Sequence, residues 1–200
     1  GIAIAPRLKF HNAIGGLLLL LLVVTLFAST DYGRSRLDGI ADTPLMNPDI
    51  DISRAIAMSF SDFNSFNWRI AQWYYLLQAW LREPWFGYGL GTSVYLSPYE
   101  LVPHNDYIRA LVEGGIVGLV TFVAFLAAQA IRLLQLLQQA PKGSDRWNLC
   151  WSLLALLIAT SLGMATDNVW SGTAFYFYWW TVMSVAGWNW QTGDRERASV

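Results

Sequence analysis

The run Ile108–Leu134, IRALVEGGIVGLVTFVAFLAAQAIRLL, decides the fold. A bilayer crossing needs roughly 20 largely apolar residues. This run exceeds that and keeps its charges, Arg109, Glu113 and Arg132, near its ends. Gly114, Gly115 and Gly118 within it are tolerated in membrane helices and permit close helix contact. Three other runs have the same character: His11–Ala28 around Leu17–Leu22, Trp147–Met164 and Ser171–Trp190. The pattern predicts an all-α, polytopic membrane protein of about four transmembrane helices.

Composition agrees. The chain is 54% hydrophobic and 14% charged, against about 25% charged for a soluble domain. Its 11 Trp point to membrane–water interfaces, where an apolar ring carries a polar tip. A net charge of −1 excludes nucleic acid as partner, since phosphate binding needs a basic field. Cys150 is the lone cysteine and forms no intramolecular disulfide; it reads as a small buried residue. The chain starts at Gly1, so it reads as truncated. The first apolar run has no small-residue cleavage site and no soluble domain after it, so it reads as a span and not a secretory signal.

Charge orients the spans. Arg7 and Lys9 precede the first run, Arg132, Lys142 and Arg146 lie at or between the second and third, and Arg195 and Arg197 follow the fourth. If all four runs cross, these residues share one side, which the positive-inside rule makes cytoplasmic, with both termini there. The segment Ser29–Tyr107 and the link around Asp167 and Asn168 then lie outside.

An outer loop of that length suggests function. Asp31–Asp51 reads as irregular, and Asp49 and Asp51 as a solvated turn. Ser53–Phe60 reads as a short helix with Ile52, Ile56 and Phe60 on one side. Asn67 reads as the N-cap of a helix over 68–82 that Pro84 stops. Arg69, Trp73, Leu76 and Trp80 share one face of it, as in an amphipathic helix at a membrane surface. The alternating glycines Gly87, Gly89 and Gly91 mark a tight turn, or backbone left open to a ligand. The lysine and preceding strand of a phosphate-binding P-loop are missing. Pro103-His104-Asn105-Asp106-Tyr107 then leads into the second span. On its chemistry His104 is either a solvated interfacial residue or a proton-transfer group, with an unperturbed pKa of about 6.5. Asp106 is the nearby carboxylate available to orient it. His11, among basic residues on the other side, reads as an anchor. No His/Cys/Asp cluster has metal-ligand spacing, so neither a metal nor another cofactor is expected.

The order of these elements resembles the O-antigen ligase/polymerase family: a loop-helix arginine, then Pro84-Trp85-Phe86-Gly87-Tyr88-Gly89-Leu90-Gly91, then His104-Asn105-Asp106-Tyr107-Ile108, then Leu111-Val112-Glu113-Gly114-Gly115-Ile116-Val117-Gly118. The resemblance covers about Asn67–Phe122 and corresponds to the C-terminal portion of a larger membrane protein. It implies a glycosyltransferase of the bacterial inner membrane. The donor would be an undecaprenyl-pyrophosphate-linked glycan. The acceptor would be another glycan, a lipid A core or a protein. By the same resemblance His104 is the loop histidine that acts as base or positions the acceptor, with Asp106 beside it, and Arg69 the arginine that holds pyrophosphate. Arg82 is the alternative on that helix; Gly87, Gly89, Gly91 and Asn105 complete the substrate-binding set. Trp68, Trp73, Trp80 and Trp85 either anchor in lipid or stack on sugar. The competing function is a membrane transporter of a small solute such as bicarbonate, and the scarcity of ionisable residues within the spans weighs against it.

The topology is testable by labelling. In a Cys150→Ser background, Phe60→Cys should react with a membrane-impermeant thiol reagent added from outside and Lys142→Cys should not. Labelling at 142 without labelling at 60 would invert the orientation.

Overall fold

The computed structural model describes residues 10–44, 46–61 and 65–188, with side chains from residue 14 onward. Within them the chain is helical and has no strand. The helices are α1 (Phe10–Ser29), α2 (Asp31–Ala41), α3 (Ile52–Met58), α4 (Ser65–Trp80), α5 (Asp106–Gln139), α6 (Asp145–Gly163) and α7 (Thr173–Gly187). Short 3₁₀ turns lie at Thr92–Tyr95 and Val169–Ser171. Arg7, Lys9, Trp190, Arg195 and Arg197, on which part of the topology rests, lie outside the described residues, as does the side chain of His11.

Among the described residues α5 alone is long and apolar enough to cross a membrane, and the α1–α2 pair qualifies only as a unit bent by 92°. The helices α6 and α7 fill the other expected spans without reaching that standard among the described residues. Leu17, Leu18, Leu19, Leu20 and Leu21, on successive faces of α1, are each about 60% exposed. A helix apolar all round needs a nonaqueous surrounding, and the described residues do not supply it.

Between Asp31 and Ala41 the expected irregular loop is a helix. Thr30 caps it by accepting the Gly33 N–H at 2.9 Å, and Gly33 packs directly on the Phe27 carbonyl, where a Cβ has no room. Capping and the bare glycine together permit the sharp turn out of α1. The carboxylate of Asp51 caps α3 by accepting the Arg54 N–H at 2.7 Å. Ala55 and Ser59 form the buried side of that segment, while Ile52 and Phe60 stay exposed. Asn67 is not the cap of α4; it lies inside the helix, buried, and donates to the Asp42 carbonyl at 3.2 Å. The stripe of α4 that faces protein is Asn67, Ala71, Gln72 and Leu76, so of the expected face only Leu76 is in the core.

The core lies between α5, α6 and α7, where Leu126, Leu133 and Leu136 meet Cys150, Leu153 and Leu157. Trp179 is one of the 11 Trp that point to membrane–water interfaces. It is instead 2% exposed and donates its indole N–H to Gln129 Oε1 at 2.6 Å.

Helix α5 is broken at Gly115, with φ 66° and ψ −163°. In a continuous helix the Ile116 N–H would reach the Val112 carbonyl and the Val117 N–H that of Glu113. Here those N–H groups donate to Pro84 O at 2.8 Å and Trp85 O at 3.2 Å. The Val112 and Glu113 carbonyls accept from Tyr88 N at 3.1 Å and Gly89 N at 2.8 Å. The glycine loop is therefore inserted into the helix break and exchanges hydrogen bonds with both sides of it. A Cβ at Gly115 would overlap the Trp85 carbonyl and Phe86 N, and one at Gly87 would overlap the Val112 and Glu113 backbone. Both residues also have positive φ.

Gly115→Ala and Gly87→Ala should each destabilise the protein by roughly 3 kcal/mol or more, since strain and backbone overlap add. Gly114 has open space at its Cβ position, so Gly114→Ala should be neutral or gain up to about 1 kcal/mol of helix propensity. Thermal unfolding in detergent distinguishes them; equal effects at 114 and 115 would refute the insertion.

Candidate functional site

The segment before α5 is stitched to the α6–α7 link. Asn105 caps α5 through Oδ1, which accepts the Tyr107 and Ile108 N–H groups at 3.0 Å each, and its Nδ2 donates to Ala165 O at 2.8 Å. Both polar atoms of that side chain are thus engaged in holding the segment together. Asp106 donates its own N–H to Met164 O at 2.8 Å, and its carboxylate accepts the Trp170 N–H at 3.0 Å. It is 5% exposed, and its hydrogen bonds go to the link and not to the imidazole it was expected to orient. Successive positions at a helix start point in different directions, so proximity in sequence does not pair them.

His104 is paired instead with Asp167, Nδ1 to Oδ1 at 3.0 Å. The hydrogen bond from His104 holds the Asp167 carboxyl below the usual carboxylate range, aided by the Asn168 N–H and the nearby Arg69 charge and opposed by partial burial. A lowered carboxylate pKa keeps Asp167 ionised down to that lowered value, and the stability it contributes is lost as pH falls through it. Asp167 lies in a different apolar hairpin from His104, and no spacing rule connects them.

Helix α4 supplies the other wall. The Trp68 ring stands edge-on to His104 with centroids 5.5 Å apart, and Tyr99 packs on Trp68 at 5.5 Å. Arg69, the next residue, lies within electrostatic reach of Asp167. Its Nε is sealed from solvent without a hydrogen-bond partner. A buried charged donor left unmade costs about 1–3 kcal/mol or more. An anion would relieve that cost. Arg82 is exposed and lies beyond the last residue of α4, whereas Arg69 sits near the start of that helix.

The glycines expected to approach a substrate have other tasks. Gly87 packs on the α5 backbone, and Gly89 donates to Glu113 O. Gly91, left-handed with open space around it, begins the 3₁₀ turn at Thr92. Trp80 and Tyr88 brace the loop, donating to Pro84 O at 3.1 Å and Ala79 O at 2.9 Å. Among the described residues no group of three His, Cys, Asp or Glu is arranged to hold a metal. A polar cavity of about 470 Å³ between α2 and α4, lined by Arg34, Arg36 and Asp38, contains none of these site residues.

No curated protein matches the chain. The family model described as O-antigen ligase matches residues 2–123, more than half of it. That stretch includes the Arg69 helix, the inserted glycine loop, His104 and the break in α5; Asp167 lies beyond it. On that match this chain belongs to the O-antigen ligase family, a family of membrane glycosyltransferases.

Proposed function

We propose that this chain carries the transfer centre of a metal-independent enzyme that moves glycan from undecaprenyl pyrophosphate to an acceptor hydroxyl. The reaction would take place on the outer face of the bacterial inner membrane. The observation that carries the proposal is the sealed, unpartnered Arg69 Nε beside the His104–Asp167 pair. With the imidazole proton on Nδ1 and directed at Asp167, Nε2 becomes the proton acceptor. The acceptor oxygen attacks the anomeric carbon as the bond from that carbon to the pyrophosphate oxygen breaks. His104 takes the hydroxyl proton, and Arg69 bears the charge that collects on the departing pyrophosphate. Asp167 orients the imidazole and stabilises its protonated form, as a positioning residue. Trp68 limits the ring to one orientation through its edge-on contact.

The orientation follows from the same groups. His104 and Asp167 stand at the ends of α5 and α6 opposite Lys142, so the transfer centre faces outward if the basic connection faces the cytoplasm. Both termini are then cytoplasmic. A glycan, a lipid A core or a protein can each present the required hydroxyl.

In the full-length protein supplied with lipid-linked glycan, His104→Ala should lower transfer by about a hundred- to ten-thousand-fold with normal protein level. Asp167→Asn should cause a smaller loss in kcat, because it disturbs only the ring. Normal accumulation of His104→Ala with parental transfer would sink the assignment. Arg69→Lys should also be impaired, because lysine lacks the planar fork that matches a phosphate. Full activity in Arg69→Ala would remove Arg69 from the site.

A further inference from the structure

One to two turns into α5 lies a separate pocket of about 240 Å³ that includes neither His104 nor Arg69. Its walls include Leu90, Asp106, Arg109, Glu113, Trp170 and Tyr176. Arg109 stands between the two acids on one face of α5, at i−3 and i+4, the spacings that bring helix side chains together. Glu113 is 4% exposed. Its Oε1 accepts from Ser93 Oγ at 2.5 Å and from Arg109 Nε at 3.2 Å. Its Oε2 has no hydrogen-bond partner among the described residues. Arg109 Nη1 donates to Ser171 Oγ at 2.6 Å. Trp170 is 7% exposed, and its indole N–H is buried without a partner. The Tyr176 ring lies 4.6 Å from it, between centroids.

The chemistry of the lining selects among ligands. Two carboxylates around one guanidinium give a net charge of −1, which disfavours pyrophosphate and leaves that group to Arg69. The acids accept hydrogen bonds, while Arg109 and the indole donate them. Aromatic faces pack on apolar C–H surface. The volume is below the ~300–1,000 Å³ of sites for drug-sized ligands. A neutral, hydroxyl-rich ring meets all these conditions. We propose that this pocket is a sugar subsite that seats one neutral ring of the glycan close to the transfer centre. The proposal rests on the glycan-transfer reading above. The ring can belong to donor or acceptor, which offer the same hydroxyl chemistry.

The test uses the full-length protein in detergent with methyl glucoside, methyl galactoside and methyl N-acetylglucosaminide, followed by saturation-transfer NMR. At least one glycoside should show transfer with the parental protein, and the signal should be lost in Glu113→Gln and in Trp170→Phe. The second substitution is decisive if the first fails to accumulate. Trp170→Phe also removes part of a ring packed on Phe125 and Phe175, so its thermal unfolding is measured beside binding, and lost binding in protein that unfolds at the parental temperature supports the subsite. In transfer assays, the KM for one substrate should rise about ten-fold while kcat stays within about two-fold. A rise for the lipid-linked glycan assigns the ring to the donor, and a rise for the hydroxyl substrate to the acceptor. Absence of binding by the parental protein overturns the proposal, as do parental binding and KM in both variants. His104→Ala should retain glycoside binding, so a failure of the base assignment and a failure of the subsite give different results.

Discussion

The exchange of backbone hydrogen bonds at Gly115 is the constraint from which the outer half of the molecule follows. Breaking a helix strands two N–H groups and two carbonyls, and within a membrane each unsatisfied group costs several kcal/mol. Here one short loop supplies partners for all of them: the carbonyls of Pro84 and Trp85, and the amides of Tyr88 and Gly89. The half-helix that begins after Gly115 is thus occupied at its N-terminal end by the protein's own carbonyls. A bare end of that kind would attract an anion; this one is closed. The proposed anion binding is therefore left to a side chain, Arg69.

Clamping the loop into α5 also fixes α4. Trp80 and Tyr88 bind the end of α4 to the inserted loop, and Gln72 Nε2 donates to Leu101 O at 2.7 Å farther along the helix. This sets the register at which Trp68 and Arg69 reach the mouth of α5. From the other side, Asn105 and Asp106 hold the α6–α7 link in place, which brings Asp167 to the imidazole. Asn105 and Asp106, which follow His104, direct these hydrogen bonds inward.

Two arginines illustrate how environment assigns roles. Arg109 has Glu113, Ser171 and the field of Asp106 around it, so its charge is already balanced. Arg69 has a buried N–H without a partner, and the exposed Asp167 lies within its electrostatic reach. The first suits a neutral polar ligand and the second an anion. Residue type and position in the sequence would not separate them, because both lie on helices near aromatic residues on the same side of the chain.

Much of this was legible without a fold. Apolar runs gave the helices α1, α5, α6 and α7 to within a few residues, because such runs stay helical whatever they pack against. The motif order led to the family, to His104 and to Arg69. Sequence periodicity did not place the buried face of α4, since Asn67 and Gln72 are polar residues whose burial depends on the carbonyls of Asp42 and Leu101. It did not detect α2, whose Asp and Gly content reads as a loop until Thr30 caps it and Gly33 packs on Phe27. Nor did it explain the glycines: Gly87 and Gly115 are required by each other's backbone, a contact between segments that local turn rules cannot express. Above all, the sequence placed Asp106 two residues from His104, while the folded chain gave the imidazole Asp167. Sequence by itself determined the family and which runs are helical, because both depend on side-chain type and local spacing. Tertiary structure alone decided which charges meet, because a hydrogen bond requires approach within about 3 Å and a matching direction, and only the packed ends of α5 and α6 provide both.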